Sequence, residues 1–425
     1  MKEKISNKNI PYLIVLLNIA VQLVLFGKYI FSSEVMSALH PYFGDSREYI
    51  DTTEKWMNSG DFVSTFNSGY RLPGYSSFIL LNYKLANIFN CNPLLFLRIV
   101  QMITAAFIPF FSYKALFNYS KSYHIAFLGA LVICLYYPFY YFTPLISTES
   151  ISLFFISILL WQISRISSRE AGIKDIISIG LFIFLLTNLR PNLILFSIPA
   201  GILLINYKYL VTGKIFRAIK KPVILAVFMI VLMLPWMIFI STQNKMFIPL
   251  ATTSGIVMVL GTGIQLEKNT DTTSLTYKYE MKHNLNADSV LIKNTKGLSF
   301  PLIHKSYQEA AIRIWEKRPW LTFKYGFVKV ANWMGLGFRG PKDYLSFCII
   351  FPALLILIFS KRFRKMNRNL VIFVSVLLLL ICFESFVYTG DMRFRILLLD
   401  MPLLYMISIY LYTNIFKRLE NNNSF

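Results

Sequence analysis

The chain has 425 residues, of which 56% are hydrophobic, 16% aromatic and only 15% charged. Soluble globular domains contain about a quarter charged residues, so this composition excludes an ordinary soluble protein and indicates a polytopic membrane protein. The formal charge is +22, yet the lysines and arginines stand between apolar runs instead of forming one patch, which argues against a nucleic-acid partner. The cysteines, Cys91, Cys134, Cys348 and Cys382, show neither disulfide nor metal-ligand spacing.

A hydrophobic first segment, residues 11–31, follows Lys2, Lys4 and Lys8. Flanking lysines favour the cytoplasmic side, so this segment is predicted to run outward from a cytoplasmic N-terminus. It is long enough to span a bilayer and lacks a small-residue cleavage site, which indicates an anchor and not a removed signal peptide. The next stretch, residues 32–73, holds six acids against three bases. A basic protein therefore carries an acidic first outer loop.

The short apolar run at residues 75–89 contains Asn82, Lys84 and Asn87. Two interpretations of it are open, a membrane crossing and an interfacial helix on the outer face. The bases at residues 114–124 should be cytoplasmic, and a crossing at 75–89 would put them outside. We therefore favour the interfacial helix; the alternative is a true crossing with one violation of the charge rule.

With that choice every later junction obeys the charge rule, and both termini are predicted to be cytoplasmic. The predicted crossings are about ten: residues 11–31, 94–117 and 125–142, four runs between 149 and 240, and residues 344–359, 370–388 and 396–412. The predicted fold is an all-α polytopic membrane protein with additional extracytoplasmic interfacial helices. Its parts are an N-terminal transmembrane module (1–242) with a first outer loop (32–93), an extracytoplasmic segment (243–342) and C-terminal transmembrane helices (343–425). We find no internal repeat, which argues against the inverted halves of many transporters.

The segment at residues 241–342 is too polar to span a membrane. Residues 252–294 are rich in Thr, Gly, Asn and Lys and are predicted to be loop, whereas residues 305–317 have helical periodicity. Pro319 ends that helix. A second interfacial helix is predicted from residues that recur at helical spacing, with Lys324 and Lys329 between them: Trp320, Phe323, Phe327, Val330 and Trp333.

Asp45 lies in the sequence Asp-Ser-Arg-Glu, which fits a helix N-cap with Glu48 as its capping-box partner. A carboxylate held at a helix start also has the fixed direction that a general base requires. Asp51 and Glu54 are predicted to lie on the solvated face of the same helix. Arg71 precedes a Pro-Gly turn, and it is either a snorkelling arginine against lipid headgroups or a clamp for a phosphate or carboxylate beside Asp45.

Glu149 is a lone acid at the outer end of an apolar run. Acids in a membrane are costly and mark functional sites, although the neighbouring hydroxyl residues suit a helix cap equally well. Arg190 stands between two apolar runs and requires an anion, either a lipid phosphate or Glu149. Of Arg393 and Arg395, at the outer start of the last run, one is interpreted as an interfacial anchor and the other as a phosphate ligand. Such a site suits a lipid-phosphate substrate.

These residues together resemble the GT-C class of polytopic glycosyltransferases, in particular bacterial relatives of the protein O-mannosyltransferases and aminoarabinose transferases that use polyprenyl-phosphate sugars. The likeness covers most of the chain in order, and its motifs are specific only in combination. They are the acidic first loop with Asp45 and Tyr49, the turn with Arg71, Pro73, Gly74 and Tyr75, the stretch from Ser147 to Glu149, Arg190-Pro191, Pro235-Trp236, and the pair Arg393 and Arg395.

The resemblance implies an inverting transfer of a sugar from a polyprenyl-phosphate donor to a glycolipid, polysaccharide or protein acceptor. It places the site on the outer face of a bacterial cytoplasmic membrane. By position, Asp45 is expected to be the general base and Glu149 the acid that orients the site. The donor phosphate is expected to bind Arg190, together with Arg71 and Arg393. Substrate positioning is expected of Tyr49 and Tyr75.

No nucleotide-sugar motif is present, and no cofactor is predicted. Some relatives bind a divalent metal, but the chain shows no His, Asp and Glu cluster with ligand spacing, so no metal is predicted here. The first loop also lacks the Asp-Glu pair of the eukaryotic protein mannosyltransferases, which favours a glycan or glycolipid acceptor over a protein. Abundant Lys, Asn and Ile are typical of a bacterium with an AT-rich genome.

Two other functions and a structural role compete with this interpretation. A lipid-linked-sugar flippase or transporter would place charges near helix centres, whereas here they cluster at helix ends. An O-antigen polymerase or ligase would carry its key Arg and His residues in the large late loop. A membrane scaffold would not need Asp45, Glu149 and Arg190 at one depth.

Overall fold

The computed structural model describes residues 2–31, 43–167, 169–264, 275–292, 297–336, 341–388 and 392–416. These residues form helices joined by turns, with no strand among them, so the predicted all-α class is confirmed. The start of the acidic loop (residues 32–42) and the predicted cytoplasmic bases at residues 417 and 418 lie outside this set.

Thirteen α-helices are formed by the described residues that precede residue 245. They are α1 (Lys2–Ile30), α2 (Phe43–Ser59), α3 (Phe62–Phe66), α4 (Pro73–Ile88), α5 (Pro93–Ala106), α6 (Ile108–Ser120), α7 (Tyr123–Leu135), α8 (Tyr137–Tyr140), α9 (Thr148–Ile166), α10 (Ile173–Leu189), α11 (Ser197–Leu203), α12 (Tyr207–Val211) and α13 (Ile215–Asn244). A 3-10 helix, Pro191–Phe196, joins α10 to α11.

The remaining helices are α14 (Ser254–Gly261), α15 (Leu275–Lys282), α16 (Phe300–Lys317), α17 (Pro319–Trp333), α18 (Pro341–Phe359), α19 (Lys361–Met366), α20 (Arg368–Val387), α21 (Met392–Arg395) and α22 (Met401–Leu411). A 3-10 helix, Leu285–Leu291, follows α15. Two π-helical turns, Ile396–Asp400 and Tyr412–Phe416, flank α22.

Six helical segments among the described residues are long and apolar enough to cross a membrane. They are Asn9–Ile30, Pro93–Ser120, Thr148–Ile166, Ile215–Asn244, Arg368–Val387 and Ile396–Asn414, and three shorter apolar helices are Tyr123–Leu135, Pro191–Leu203 and Phe347–Phe359. The chain is thus an all-α protein with the apolar helices of a multi-pass membrane protein. Of these six segments, those beginning at Thr148 and Ile396 are the most buried. In each of them 67% of the most apolar 18-residue stretch is buried inside the protein.

One hydrophobic core joins the beginning and the end of the chain. It contains Ile14 of α1, Leu159 of α9, Leu377 of α20 and Tyr405 of α22. Helices that are far apart in sequence therefore pack directly together, and their ends on one side come close to each other.

Two runs that the sequence predicted as single helices are interrupted at proline. Residues 94–117 divide into α5 and α6 at Phe107, two residues before Pro109, and residues 125–142 divide into α7 and α8 at Tyr136, two residues before Pro138. Proline lacks an amide donor and its ring crowds the preceding turn, which explains both breaks.

The predicted loop at residues 252–294 is wrong in part, because α14, α15 and a 3-10 helix lie within it. The sequence of α14, SGIVMVLG, is apolar and packs against α16 through Val259, Ala310 and Ile314. Tertiary burial overrides the glycine and threonine content that indicated a loop. The helices predicted on either side of Pro319 are confirmed as α16 and α17.

The aromatic face predicted for α17 is divided between the surface and the interior. Trp320, Phe323 and Phe327 are exposed, whereas Trp333 is buried and its indole Nε1 donates to Ser385 Oγ at 2.9 Å. Lys329 was predicted to lie at an interface and is instead buried. Its Nζ donates to the carbonyl oxygens of Gly261 (2.6 Å) and Tyr388 (2.8 Å), so it ties α17 to the ends of α14 and α20.

The buried lysine gives a testable pH dependence. Burial lowers the pKa of Lys329 to about 7 from its ordinary 10.5, with Glu280 partly opposing the shift. A lysine with a lowered native pKa destabilises the fold fully below that pKa, and the cost disappears as pH rises toward the unfolded value. We expect the free energy of unfolding to rise by about 1 to 2 kcal/mol between pH ~7.5 and ~9.5.

Chemical unfolding of the detergent-solubilised protein at several pH values tests this expectation. The rise should disappear in Lys329→Met and persist in Lys324→Met, which alters an exposed lysine of the same helix. An equal rise in wild type and Lys329→Met would show that another group causes it.

Candidate active site

All five predicted charged residues come together at one end of the helix bundle. Asp45 is in the first turn of α2, Arg71 lies just before α4, and Glu149 is in the first turn of α9. Arg190 follows the last residue of α10, and Arg393 belongs to α21. The site is therefore assembled from helix ends that are distant in sequence.

The charged groups alternate in sign along a continuous series of contacts, which we term the acid–arginine chain: Glu48, Arg71, Asp45, Arg393, Glu149 and Arg190. Nη2 of Arg71 lies 2.7 Å from Oε2 of Glu48 and 2.6 Å from Oδ1 of Asp45. Arg393 Nη1 lies 2.8 Å from Oδ2 of Asp45 and 3.6 Å from Oε1 of Glu149.

The acid–arginine chain ends at Arg190, whose Nη1 donates to Oε1 of Glu149 at 2.5 Å. Glu149 is 2% exposed and Arg190 is 13% exposed, so this pair is largely removed from solvent. The sequence left open whether Arg190 meets Glu149 or a lipid phosphate, and in this structure the partner is Glu149.

Two prolines fix the direction of the arginines. Pro73 is the first residue of α4, and the backbone of Leu72, which precedes this proline, is extended. Arg71 therefore lies outside the helix, on the side of α4 that contacts α2. A Cβ on Gly74 would lie 2.6 Å from the carbonyl oxygen of Asn188, hence only glycine permits this approach of α4 to α10. Pro191 likewise keeps Arg190 extended, which ends α10.

The predicted capping box at Asp45 is wrong. The helix begins at Phe43, and both carboxyl oxygens of Asp45 accept from arginines instead of capping amides. Burial raises the pKa of the Asp45 carboxyl, but the charges of Arg71 and Arg393 outweigh that effect and lower it to about 2. The Glu48 carboxylate likewise forms an ion pair with Arg71 and does not serve as a capping-box partner. Asp51 and Glu54 are exposed, as predicted for the solvated face.

Tyr49 and Tyr75 form the floor beneath Arg71. The guanidinium carbon of Arg71 lies 5.1 Å from the Tyr49 ring centroid, and the two tyrosine rings meet edge to face at 4.8 Å. Tyr75 is fully buried and its hydroxyl donates to Oε1 of Gln101 at 2.6 Å. Tyr75 therefore supports Tyr49 from behind, and direct substrate positioning by either ring stays a prediction.

Arg395 is not an interfacial anchor, because it is buried with Asp400 inside the bundle. Its Nε lies 2.8 Å from Oδ1 of Asp400, its Nη1 donates to the Trp333 carbonyl at 2.7 Å, and the Tyr136 hydroxyl donates to Oδ2 of Asp400 at 2.7 Å. The π-helical turn Ile396–Asp400 brings Arg395 and Asp400 into register. This fixed cluster holds α21, and with it Arg393.

Sequence reasoning assigned no role in the site to Asp400 and Glu384. Each is the one acid of its apolar run, residues 396–412 and 370–388 respectively. The rule that singled out Glu149, that acids inside apolar runs are costly, applies equally to both. Glu384 is 8% exposed and lies in the last turn of α20, where it interacts electrostatically with Arg190.

Within the part of the chain that the structure describes, no group of three or more His, Cys, Asp or Glu residues is arranged to hold a metal ion. The carboxylates of the site are instead occupied by guanidinium groups. The expectation that the protein uses no metal stays a prediction.

The chain matches no protein-family model and no curated protein sequence. The relation to GT-C enzymes therefore stays a proposal that rests on the motifs and the geometry of the site.

Proposed function

We propose that this protein transfers a sugar from a polyprenyl-phosphate donor to a glycan or glycolipid acceptor at the outer face of a bacterial cytoplasmic membrane. The observation that carries the proposal is the acid–arginine chain. Three guanidinium groups and three carboxylates converge there, at the ends of helices that include the candidate membrane span Thr148–Ile166. An anionic headgroup whose lipid tail lies in the bilayer would reach such a site from the side.

The arginines provide the donor phosphate with its ligands. Guanidinium groups bind phosphate through paired, charge-assisted hydrogen bonds. Arg393 is placed for this exchange, since it contacts Asp45 at 2.8 Å and Glu149 at only 3.6 Å. A phosphate that binds Arg393 takes the place of the Asp45 carboxylate as the hydrogen-bonding partner of this arginine.

This exchange also prepares Asp45 for catalysis. With both oxygens bonded to arginines and its pKa at about 2, Asp45 is a weak base in the free protein. When the phosphate takes Arg393, one cause of the lowered pKa is removed and a negative charge is added nearby, which raises the basicity of Asp45. Donor binding thus switches the base on.

The proposed reaction is an inverting displacement. The acceptor hydroxyl attacks the anomeric carbon, its proton passes to Asp45, and the bond from that carbon to the phosphate oxygen breaks. Polyprenyl phosphate leaves with the bonding electron pair, and its charge is stabilised by Arg71, Arg190 and Arg393. Glu149 orients Arg190 and Arg393.

We also propose ten membrane crossings. Six candidate spans and three shorter apolar helices, together with the 17-residue α10, correspond one to one with the predicted runs. We place the acid–arginine chain on the extracytoplasmic side and α4 on the outer surface of the membrane, in accordance with the charge rule.

An open cleft of 510 Å³ is the proposed acceptor site. It lies in the segment between α13 and α18, and the residues that line it include Tyr279, His283, Arg318, Pro319, Trp320 and Lys324. Aromatic rings pack against the apolar faces of sugars, and the cations suit an acidic glycan.

Trp320→Ala is expected to raise the KM for the acceptor about fivefold and to leave the donor KM unchanged, because a ring contact of about 1 kcal/mol is lost. Steady-state transfer kinetics test this. Phe327→Ala is the matched control, since Phe327 is an exposed aromatic residue of the same helix outside the cleft. An unchanged acceptor KM in Trp320→Ala would remove the cleft from the proposal.

The proposed function is tested by incubating the purified protein with radiolabelled polyprenyl-phosphate sugars and candidate acceptors. Transfer appears as loss of lipid-linked label and gain of a water-stable product. Movement of the donor across proteoliposome membranes without transfer would overturn the proposal in favour of a flippase.

A further inference from the structure

The turn at Gly69 is held by α13 and by the segment that follows it. The backbone amide of Thr252 donates to the Gly69 carbonyl at 2.9 Å, and the Thr252 hydroxyl donates to the Ser68 carbonyl at 3.2 Å. Gly69 has a φ of +64°, and a Cβ there would lie 2.5 Å from Cγ1 of Ile240. Only glycine suits this turn, because a side chain would be strained and would collide with α13. The turn therefore gives the next residue, Tyr70, a defined direction.

The Tyr70 ring contacts both Arg71 and the start of α16. The guanidinium carbon of Arg71 lies 5.1 Å from the centroid of the Tyr70 ring, the same distance as from the centroid of the Tyr49 ring. The Tyr70 centroid lies 5.4 Å from that of Phe300, which is the first residue of α16. Two rings thus contact the guanidinium group, and one of them is itself packed against α16.

These rings act on an arginine that ion pairs alone hold weakly. The Arg71 side chain is 24% exposed and that of its partner Glu48 is 43% exposed. Ion pairs in contact with water contribute little, because they are screened and because a long side chain loses conformational freedom when it is fixed. An aromatic ring attracts the face of a guanidinium group and leaves the N–H groups at its edge able to bond to a carboxylate or phosphate. Ring contacts therefore restrain Arg71 without occupying its donors.

We infer that Tyr70 is a positioning residue, whose ring holds the Arg71 guanidinium in the direction in which it bonds to Asp45 and meets the donor phosphate. Phe300 keeps the Tyr70 ring in place. The part played by the phosphate rests on the proposed function, whereas the restraint on Arg71 does not depend on it.

The first measurement is the rate at which phenylglyoxal modifies Arg71 in the full-length protein in detergent, followed by mass spectrometry of the peptide that contains it. The reagent attacks a guanidinium group that has left its partners, so the rate reports how often Arg71 is released. Tyr70→Leu should raise this rate about fivefold, which corresponds to the loss of about 1 kcal/mol of cation–π attraction. Tyr70→Phe keeps the ring and should react at the wild-type rate.

Modification of Arg169 in the same samples is the internal control. This arginine is bonded to Asp175 at 2.6 Å, at the end of α10 opposite to the acid–arginine chain. Its rate should be the same in every variant, and a rise at both arginines would identify a variant that is not folded. If Tyr70→Leu is such a variant, Tyr70→Met, which also lacks a ring, provides the same comparison.

The second measurement is the affinity of the full-length protein for polyprenyl phosphate in detergent. Tyr70→Leu should weaken binding about fivefold, and Tyr70→Phe should bind as wild type does. Tyr123→Leu is the matched control, because it removes an exposed tyrosine ring that stacks on Phe117 with the centroids 4.7 Å apart. It should change neither the affinity nor the modification of Arg71.

Equal modification of Arg71 in wild type and Tyr70→Leu would overturn the inference. A rise in Tyr70→Phe as large as that in Tyr70→Leu would also overturn it, since the hydroxyl and not the ring would then restrain Arg71. Faster modification with unchanged lipid binding would remove the link between Tyr70 and the phosphate. Wild type that does not bind polyprenyl phosphate, with modification that still depends on the Tyr70 ring, would overturn the proposed function and leave the restraint on Arg71 standing.

Discussion

Arg190→Gln is expected to lower the free energy of unfolding by about 3 kcal/mol, because it leaves the Glu149 carboxylate buried without its closest partner. Glu149 is 2% exposed and Arg190 lies 2.5 Å from its Oε1. Arg393 approaches the same oxygen at 3.6 Å and offsets only part of the loss. Unfolding of the purified protein in a denaturing detergent, followed by circular dichroism, measures the difference.

A double variant tests whether Glu149 and Arg190 stabilise the fold through their interaction with each other. Glu149→Gln alone leaves Arg190 unpaired and should also destabilise, whereas Glu149→Gln combined with Arg190→Gln should cost less than the sum of the single changes. Arg169→Gln, which alters a partly exposed arginine bonded to Asp175, is the control and should cost much less than Arg190→Gln. Additive losses in the double variant would show that the two residues act independently.

Asp45→Asn is expected to lower the rate of sugar transfer by about 10² to 10⁴, the range that a positioned general base contributes. An amide accepts a proton poorly, and it also forms weaker bonds with Arg71 and Arg393. The measurement is single-turnover transfer from the radiolabelled donor, which reports the chemical step without product release.

Asp51→Asn is the matched control, because it makes the same change on the exposed face of the same helix. It should transfer at the wild-type rate. Equal rates for Asp45→Asn and wild type would exclude Asp45 as the base.

The membrane character of the chain, its helical class and the positions of the long apolar helices were predictable from the sequence. Long apolar runs and the bases between them depend only on local composition. The helix breaks near Pro109 and Pro138 were not predicted, although the chemistry of proline explains them. A position of Arg71 beside Asp45 was one of two alternatives that the sequence left open, the other being a snorkelling arginine against lipid headgroups.

Other features depended on packing. Arg393 reaches Asp45 across 348 residues of sequence, and no local pattern specifies that contact. Helical spacing placed Lys329 with the exposed aromatic residues of α17, whereas the carbonyl groups of Gly261 and Tyr388 draw it inside. Periodicity identifies a helix face but not which neighbour covers it.

The sequence by itself determined that acids and arginines stand at helix ends on one side of a multi-pass bundle. Only the tertiary structure decided how they pair: Arg190 with Glu149, Arg393 between two carboxylates, and Arg395 inside the core with Asp400. The reason is physical. The hydrophobicity of a segment and the charges at its ends depend on neighbouring residues in the sequence and on solvent. The pairing of acids with arginines is fixed instead by the packing of helices that lie far apart in the chain.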